Sequence, residues 1–198
     1  MKQLMLLVLT LISCLTVIVG CQSLSTMTTI TARVEKVLNG QSIEVTLLNQ
    51  QPPVRQQVRL QGIDAPTPQQ APWGKNALER LTALIEENNP QKLVQLELRE
   101  LQPDQFGRLT APVWQKQTLL NFALVQGGYA LAQLPQDTEE PMPSILNKHQ
   151  TEILQAQDQA RVLGIGIWDP TQPMRLPPSE FRRLRATPEK IPQKIPKK

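Results

Sequence analysis

Val58-Arg59-Leu60-Gln61-Gly62-Ile63-Asp64-Ala65-Pro66-Thr67 is the stretch on which the reading of this chain turns. Val54 to Ile63 suits a β-strand, and Asp64 stands directly before Ala65-Pro66, where a single carboxylate can serve to order a turn. Arg59 carries a planar guanidinium. Such a group can grip a phosphate through two parallel hydrogen bonds, or pair with Asp64 or another acid and hold the fold together. Upstream lies Val37-Leu38-Asn39-Gly40-Gln41-Ser42-Ile43-Glu44-Val45, and downstream Asp104-Gln105-Phe106-Gly107-Arg108.

Working outward, residues 29–48 alternate apolar and polar and are rich in β-branched side chains. That pattern predicts two strands turning at Asn39-Gly40, a dipeptide favoured in tight turns because it tolerates positive φ. Gln50 to Pro53 make the next loop. Leu78, Leu81, Leu84 and Ile85 recur at helical spacing and predict a helix over 75–88, stopped by Pro90. Leu93 to Leu98 reads as a fourth strand, and Leu109 to Trp114 as a fifth, across the turn from Asp104 to Arg108. Leu119 to Gln126 reads as a helix ended by Gly127-Gly128, and residues 144–163 as a polar one. Pro135 to Pro143, with Asp137-Thr138-Glu139-Glu140 inside, reads as an exposed acidic loop. The expected fold is therefore α+β, a five-stranded OB-fold-like Greek-key β-barrel with about three helices.

In this order, the three quoted segments resemble the staphylococcal nuclease (thermonuclease-like) family. The likeness runs on through Gly74 and Ala77, Leu120-Asn121 with Leu124-Val125, Gly127-Gly128-Tyr129-Ala130, and Gly164-Ile165-Gly166-Ile167-Trp168. It implies that, in active members, the positions of Gln41 and Asp64 are calcium-binding aspartates and that of Ala65 lends its backbone carbonyl to the metal. The position of Thr67 is then a glutamate that positions or deprotonates the attacking water. Those of Arg59 and Arg108 are arginines that hold the phosphate. Arg59, Asp64 and Arg108 keep the pattern here; Gln41 and Thr67 depart from it.

The departures bear directly on chemistry. Calcium takes six to eight oxygen ligands, and the charged ones tune its affinity. One carboxylate with a neutral Gln41 amide, or Asn39 beside it, makes a weak or lost Ca2+ site. Glu44 should face the opposite side of its strand from Gln41. Glu35, of the right parity, lies about 20 Å away at roughly 3.3 Å per residue. Thr67 has no basic partner in sight, and a positioned acid or base is typically worth about 10² to 10⁴ in rate. His149, the single histidine, falls in a polar stretch outside the site segments. Trp73, Trp114 and Trp168 could stack on bases but read first as packing residues.

Compartment and charge complete the expectation. Met1-Lys2-Gln3 leads into a nearly continuous apolar run ending Ile18-Val19-Gly20-Cys21. It reads as a signal peptide over 1–20 closed by a bacterial lipobox, with Cys21 lipidated and residues 21–28 a tether. The alternatives are Cys14, which leaves a short apolar core, and an uncleaved membrane helix, since about 17 to 25 residues span a bilayer. The net charge of +4 is uneven: residues 182–198 hold seven Lys or Arg and one Glu, while residues 21–181 hold thirteen basic and sixteen acidic residues. A mildly acidic body weakens the case for a broad nucleic-acid surface. The tail, 171–198, has the composition of a disordered end, with lipid or nucleic-acid contact as the other reading. The nuclease-like domain then occupies 29–170. The function expected is that of an envelope lipoprotein, membrane-anchored outside the cytoplasm, whose domain is catalytically impaired and binds nucleic acid or a protein partner. The alternatives are an active calcium-dependent extracellular nuclease cutting DNA or RNA phosphodiester bonds, and a purely structural spacer.

Overall fold

Alternation of apolar and polar residues along β1 (Thr28–Asn39) buries Ile30, Ala32 and Val34 on one face, as the two-residue period of a strand requires. Two bulges, between Val34 and Lys36 and between Val37 and Asn39, interrupt its pairing with β2 (Ser42–Leu47). Bulges bend the strand that carries them, so β1 pairs with β2 along one edge and with β5 (Leu93–Leu98) along the other within a curled half-barrel. The structure is a computed structural model describing residues 28–98, 101–133 and 144–186, of which 144–148 are described by backbone alone. The expected signal, Cys14, Cys21, the acidic loop and the end of the tail lie outside the described residues.

The larger sheet has seven strands in the order β6-β3-β2-β1-β5-β7-β8. The five expected strands recur as β1, β2, β3 (Val54–Leu60), β5 and β6 (Arg108–Ala111). Two of the expected boundaries are corrected. Residues 54–63 are not one strand: Gln61-Gly62 turns the chain, with Gly62 at φ 76°, and β4 (Ile63–Asp64) joins a separate small sheet with β9 (Leu131–Ala132). Residues 109–114 are divided at Pro112, which has no N–H for a ladder, so β7 (Val113–Gln115) leaves β6 and pairs with β5 and β8 (Thr118–Leu119).

Among the described residues four helices accompany the sheet: α1 (Trp73–Glu86), α2 (Leu120–Gln126), α3 (Ser144–Leu163) and α4 (Pro178–Ala186), with a 3₁₀ turn at Gly166–Trp168. α1 turns Gly74, Ala77, Leu81, Leu84 and Ile85 inward, against a core that includes Ile43, Val45, Val58, Leu60, Leu96 and Leu109. α3 packs on α2 through Ile153 and Ala156. The 3₁₀ turn is fastened to the end of α2 by the Ile167 amide, which donates to Gly128 O at 2.8 Å. α4 corrects the expectation that 171–198 is a disordered tail, at least as far as Ala186. Its sequence carries Pro178 and Glu180 at the start and Arg183 and Arg185 at the end. That charge order suits the helix dipole.

Two glycines fit the loops of the site region against α1. Gly40 was expected to supply a positive φ, yet it is not among the residues that adopt one. A Cβ there would lie 2.5 Å from the Ala77 Cβ and 3.0 Å from that of Ala65, so the requirement is space beneath the helix, not torsion. At Gly74 a Cβ would collide with the Thr67 carbonyl. Gly74→Ala is therefore expected to cost about 1–3 kcal/mol of overpacking, read as a lowered urea midpoint with an unchanged slope, and to displace the Pro66-Thr67-Pro68 segment from α1.

Candidate phosphate site

Parallel pairing of β3 with β6 aligns Gln57 with Arg108 and Arg59 with Thr110. Residues two apart on a strand share a face, so Arg59 and Arg108 project to the same side from neighbouring strands. The β3–β4 turn then delivers Asp64 beside them. That turn is pinned by buried Asn121 of α2, whose Nδ2 donates to Gln61 O at 2.6 Å while its Oδ1 accepts from Val113 N at 3.0 Å. Arg59, Arg108, Gln41, Thr67 and Ala65, together with Phe106 and Arg182, line one cavity of about 410 Å³.

Asp64 is only 4% exposed, and a buried carboxylate needs partners. It finds two, both from α4: Oδ1 accepts from Arg182 Nη2 at 2.6 Å and Oδ2 from the Ser179 amide at 3.0 Å. Gln41 is also buried, and its Oε1 accepts from the Ala65 amide at 2.7 Å. Thr67 is held through its backbone, with its amide donating to Gln70 Oε1 at 3.1 Å and Gln70 Nε2 donating on to Leu176 O at 3.0 Å. The Thr67 hydroxyl itself is buried without a hydrogen-bond partner.

The two expected arginines are positioned differently from each other. Arg59 Nη2 donates to Ile63 O at 3.2 Å and to Gln133 Oε1 at 2.7 Å, which braces its own turn. Burial lowers its pKa; Asp64 opposes that, and the like charges of Arg108 and Arg182 add to it. The like charges of Arg108 and Arg182 therefore bear on Arg59. Arg108 gives Nε and Nη2 to Asp104 Oδ2 at 3.1 and 2.8 Å and lies 5.0 Å from the Phe106 ring, which is 70% exposed.

The other acids are engaged elsewhere. Glu35 bonds Thr46 Oγ1 at 2.7 Å and Arg33 Nε at 3.1 Å, and Glu44 pairs with Arg55 at 3.7 Å, so neither replaces Gln41. His149 is buried against Trp114, with ring centroids 5.5 Å apart. Trp168 lies 5.5 Å from Arg161, and both Trp114 Nε1 and Trp168 Nε1 are buried. These are packing positions away from the cavity lining. No group of three or more His, Cys, Asp or Glu that could hold a metal occurs among the described residues. The expected calcium ligands do not fit that ion as they stand. Asp64 already carries a guanidinium, and the Gln41 oxygen is neutral and occupied.

Arg182 and Ser179 escape sequence reasoning, because the run from Arg182 has the composition of a basic tail. The available signal was the helix start at Pro178-Ser179-Glu180 followed by basic residues.

The Asp104–Arg108 pair yields a pH prediction. Burial opposes ionisation, but hydrogen bonds from the Arg108 guanidinium and from the Arg108 and Phe106 amides outweigh it and hold the Asp104 carboxyl below its ordinary range. A depressed folded-state pKa stabilises the fold fully above the unfolded value, about 3.9, and that contribution is lost as pH falls through the folded one. Asp104→Asn should therefore lower the melting temperature at neutral pH and flatten its fall below about pH 4, measured by thermal melts across the acid range.

Residues 57–170 match the family described as staphylococcal nuclease homologue. Over 126 residues the chain is 31% identical to a protein of Haemophilus influenzae named "Uncharacterized endonuclease". The match covers 64% of this chain and 60% of that protein. The family match contains Arg59, Asp64, Thr67 and Arg108, and it ends before α4. It spans more than half of the sequence, and the chain belongs to the staphylococcal nuclease homologue family.

Proposed function

We propose that this nuclease-like domain binds the phosphates of single-stranded nucleic acid and does not hydrolyse them at a useful rate. The observation that carries the reading is the state of Asp64. Both of its oxygens are bonded within the chain, to Arg182 and to the Ser179 amide, where a divalent ion would need them free. Around it stand guanidiniums suited to phosphate, and an exposed Phe106 ring beside Arg108 offers a face on which a base can stack. Position 67 supplies a hydroxyl and no base. Loss of a general base removes about 10² to 10⁴ in rate, and loss of the metal's charge several kcal/mol more.

The test is cleavage of a quenched single-stranded DNA in calcium and in chelator. The natural chain is expected to be silent in both; calcium-stimulated cleavage that chelator abolishes overturns the reading in favour of an active nuclease. Because Arg182 holds Asp64, Gln41→Asp with Thr67→Glu should remain nearly silent, and calcium-dependent cleavage should emerge only when Arg182→Ala is added.

The location proposed is the cell envelope, with the domain tethered outside the cytoplasm by lipid on Cys21. Support comes from the apolar run and the Val19-Gly20-Cys21 boundary. No helix long and apolar enough to cross a membrane occurs among the described residues. Cys21→Ser is expected to move the protein from the membrane fraction to the soluble one and to remove the acyl mass from its N-terminus.

A further inference from the structure

We propose that Arg182 is itself a ligand-binding residue. With Arg59, Arg108 and the Thr67 hydroxyl it forms a phosphate cradle, in which an arginine of the chain's own C-terminal helix stands where a divalent cation would otherwise meet the nucleic acid. This deepens the function proposed above and rests on it.

Three observations converge on the cradle. The first is charge: Arg59, Arg108 and Arg182 line the same cavity, while the two carboxylates bonded to them, Asp64 and Asp104, leave the group with one positive charge uncompensated. An anion entering the cavity relieves the repulsion that Arg108 and Arg182 exert on Arg59.

The second is hydrogen bonding. Arg182 spends Nη2 on Asp64, yet Nη1 of the same fork is buried with no partner. The Thr67 hydroxyl is buried and unpartnered in the same way. Buried polar atoms in native proteins are nearly always paired, and exceptions ask for an explanation. Both residues line the one cavity that also holds Arg59 and Arg108, and both atoms can donate. A ligand in that cavity that draws these two donors toward it must be rich in acceptors, and phosphate oxygens are.

The third is fit. At about 410 Å³ the cavity has the size of a small-ligand pocket. The Phe106 ring beside Arg108 is 70% exposed and lines the same cavity. A phosphate in the cradle places the attached nucleoside near that ring. This favours a single-stranded oligonucleotide over inorganic phosphate.

The test uses the full chain and a short fluorescein-labelled single-stranded DNA, with affinity read by anisotropy in calcium and in chelator over a range of salt. The natural chain is expected to bind equally in both. Arg182→Gln keeps a donor for Asp64 but removes the charge. It should weaken binding about 10-fold or more and reduce the slope of log affinity against log salt by about 0.7. Arg182→Lys should keep the slope. Thr67→Val, of similar shape, should weaken binding with the slope unchanged.

Melting temperatures of each variant separate a loosened helix from a lost contact. If Arg182→Gln lowers the melting temperature and Arg182→Lys shares its reduced slope, Arg182 is only a pin for α4 and the proposal falls. It falls equally if Arg182→Gln binds like the natural chain while Arg59→Ala with Arg108→Ala does not, or if calcium strengthens binding by the natural chain. Absence of any binding by the natural chain overturns the nucleic-acid reading itself, a result distinct from each of these.

Discussion

A carboxylate buried at the head of a short strand sets the terms for the rest of the site. Asp64 lies where the chain leaves the main sheet, and water does not reach it well enough to solvate its charge. A low-dielectric setting makes an unpaired charge expensive and a well-made pair correspondingly firm. The family pattern answers that demand with a metal, whereas this chain answers it with α4. The guanidinium of Arg182 and the amide of Ser179 cover both oxygens, and the segment that leads to α4 is tied back to the site loop through Gln70 and Leu176.

The remaining positions are consistent with that choice. Gln41 cannot balance a dication, but as an amide it can accept from the Ala65 backbone and so order the turn that presents Asp64. An aspartate would bring a second negative charge into the same small volume. Thr67, held through its backbone, places a small hydroxyl where a glutamate would add a third. The arginines are retained, and their setting favours an anion over a cation. A calcium site and a guanidinium site use the same carboxylate in mutually exclusive ways, and here Asp64 is bonded to Arg182.

Much of the fold was legible because it rests on local pattern. Alternation marked β1, β2 and β5, helical spacing marked α1, and Gly74 with Ala77 fell on that helix as expected. What escaped was long-range. Nothing local announces that Gly62 and Pro112 divide two apparent strands between neighbouring ladders, although each has its reason in φ or in a missing amide. The chain does turn at Asn39-Gly40, as that dipeptide suggests, but only the packed helix shows that the constraint on Gly40 is room for Ala77. The pairing of Asp64 with a residue 118 positions later had no local signature at all. Composition even argued against it, since Arg182 opens a stretch whose charge reads as solvated tail.

An ion bound from solution occupies its site according to its concentration, and its contribution rises and falls with supply. A guanidinium built into the polypeptide obeys a different rule. Its local concentration is fixed by the length and stiffness of the chain that carries it, and its occupancy is decided by the docking equilibrium of a nine-residue helix. Under the reading argued above, the binding surface is complete when the protein is folded, whatever the divalent-ion content of its surroundings. The control point moves from ion availability to the integrity of the C-terminal segment.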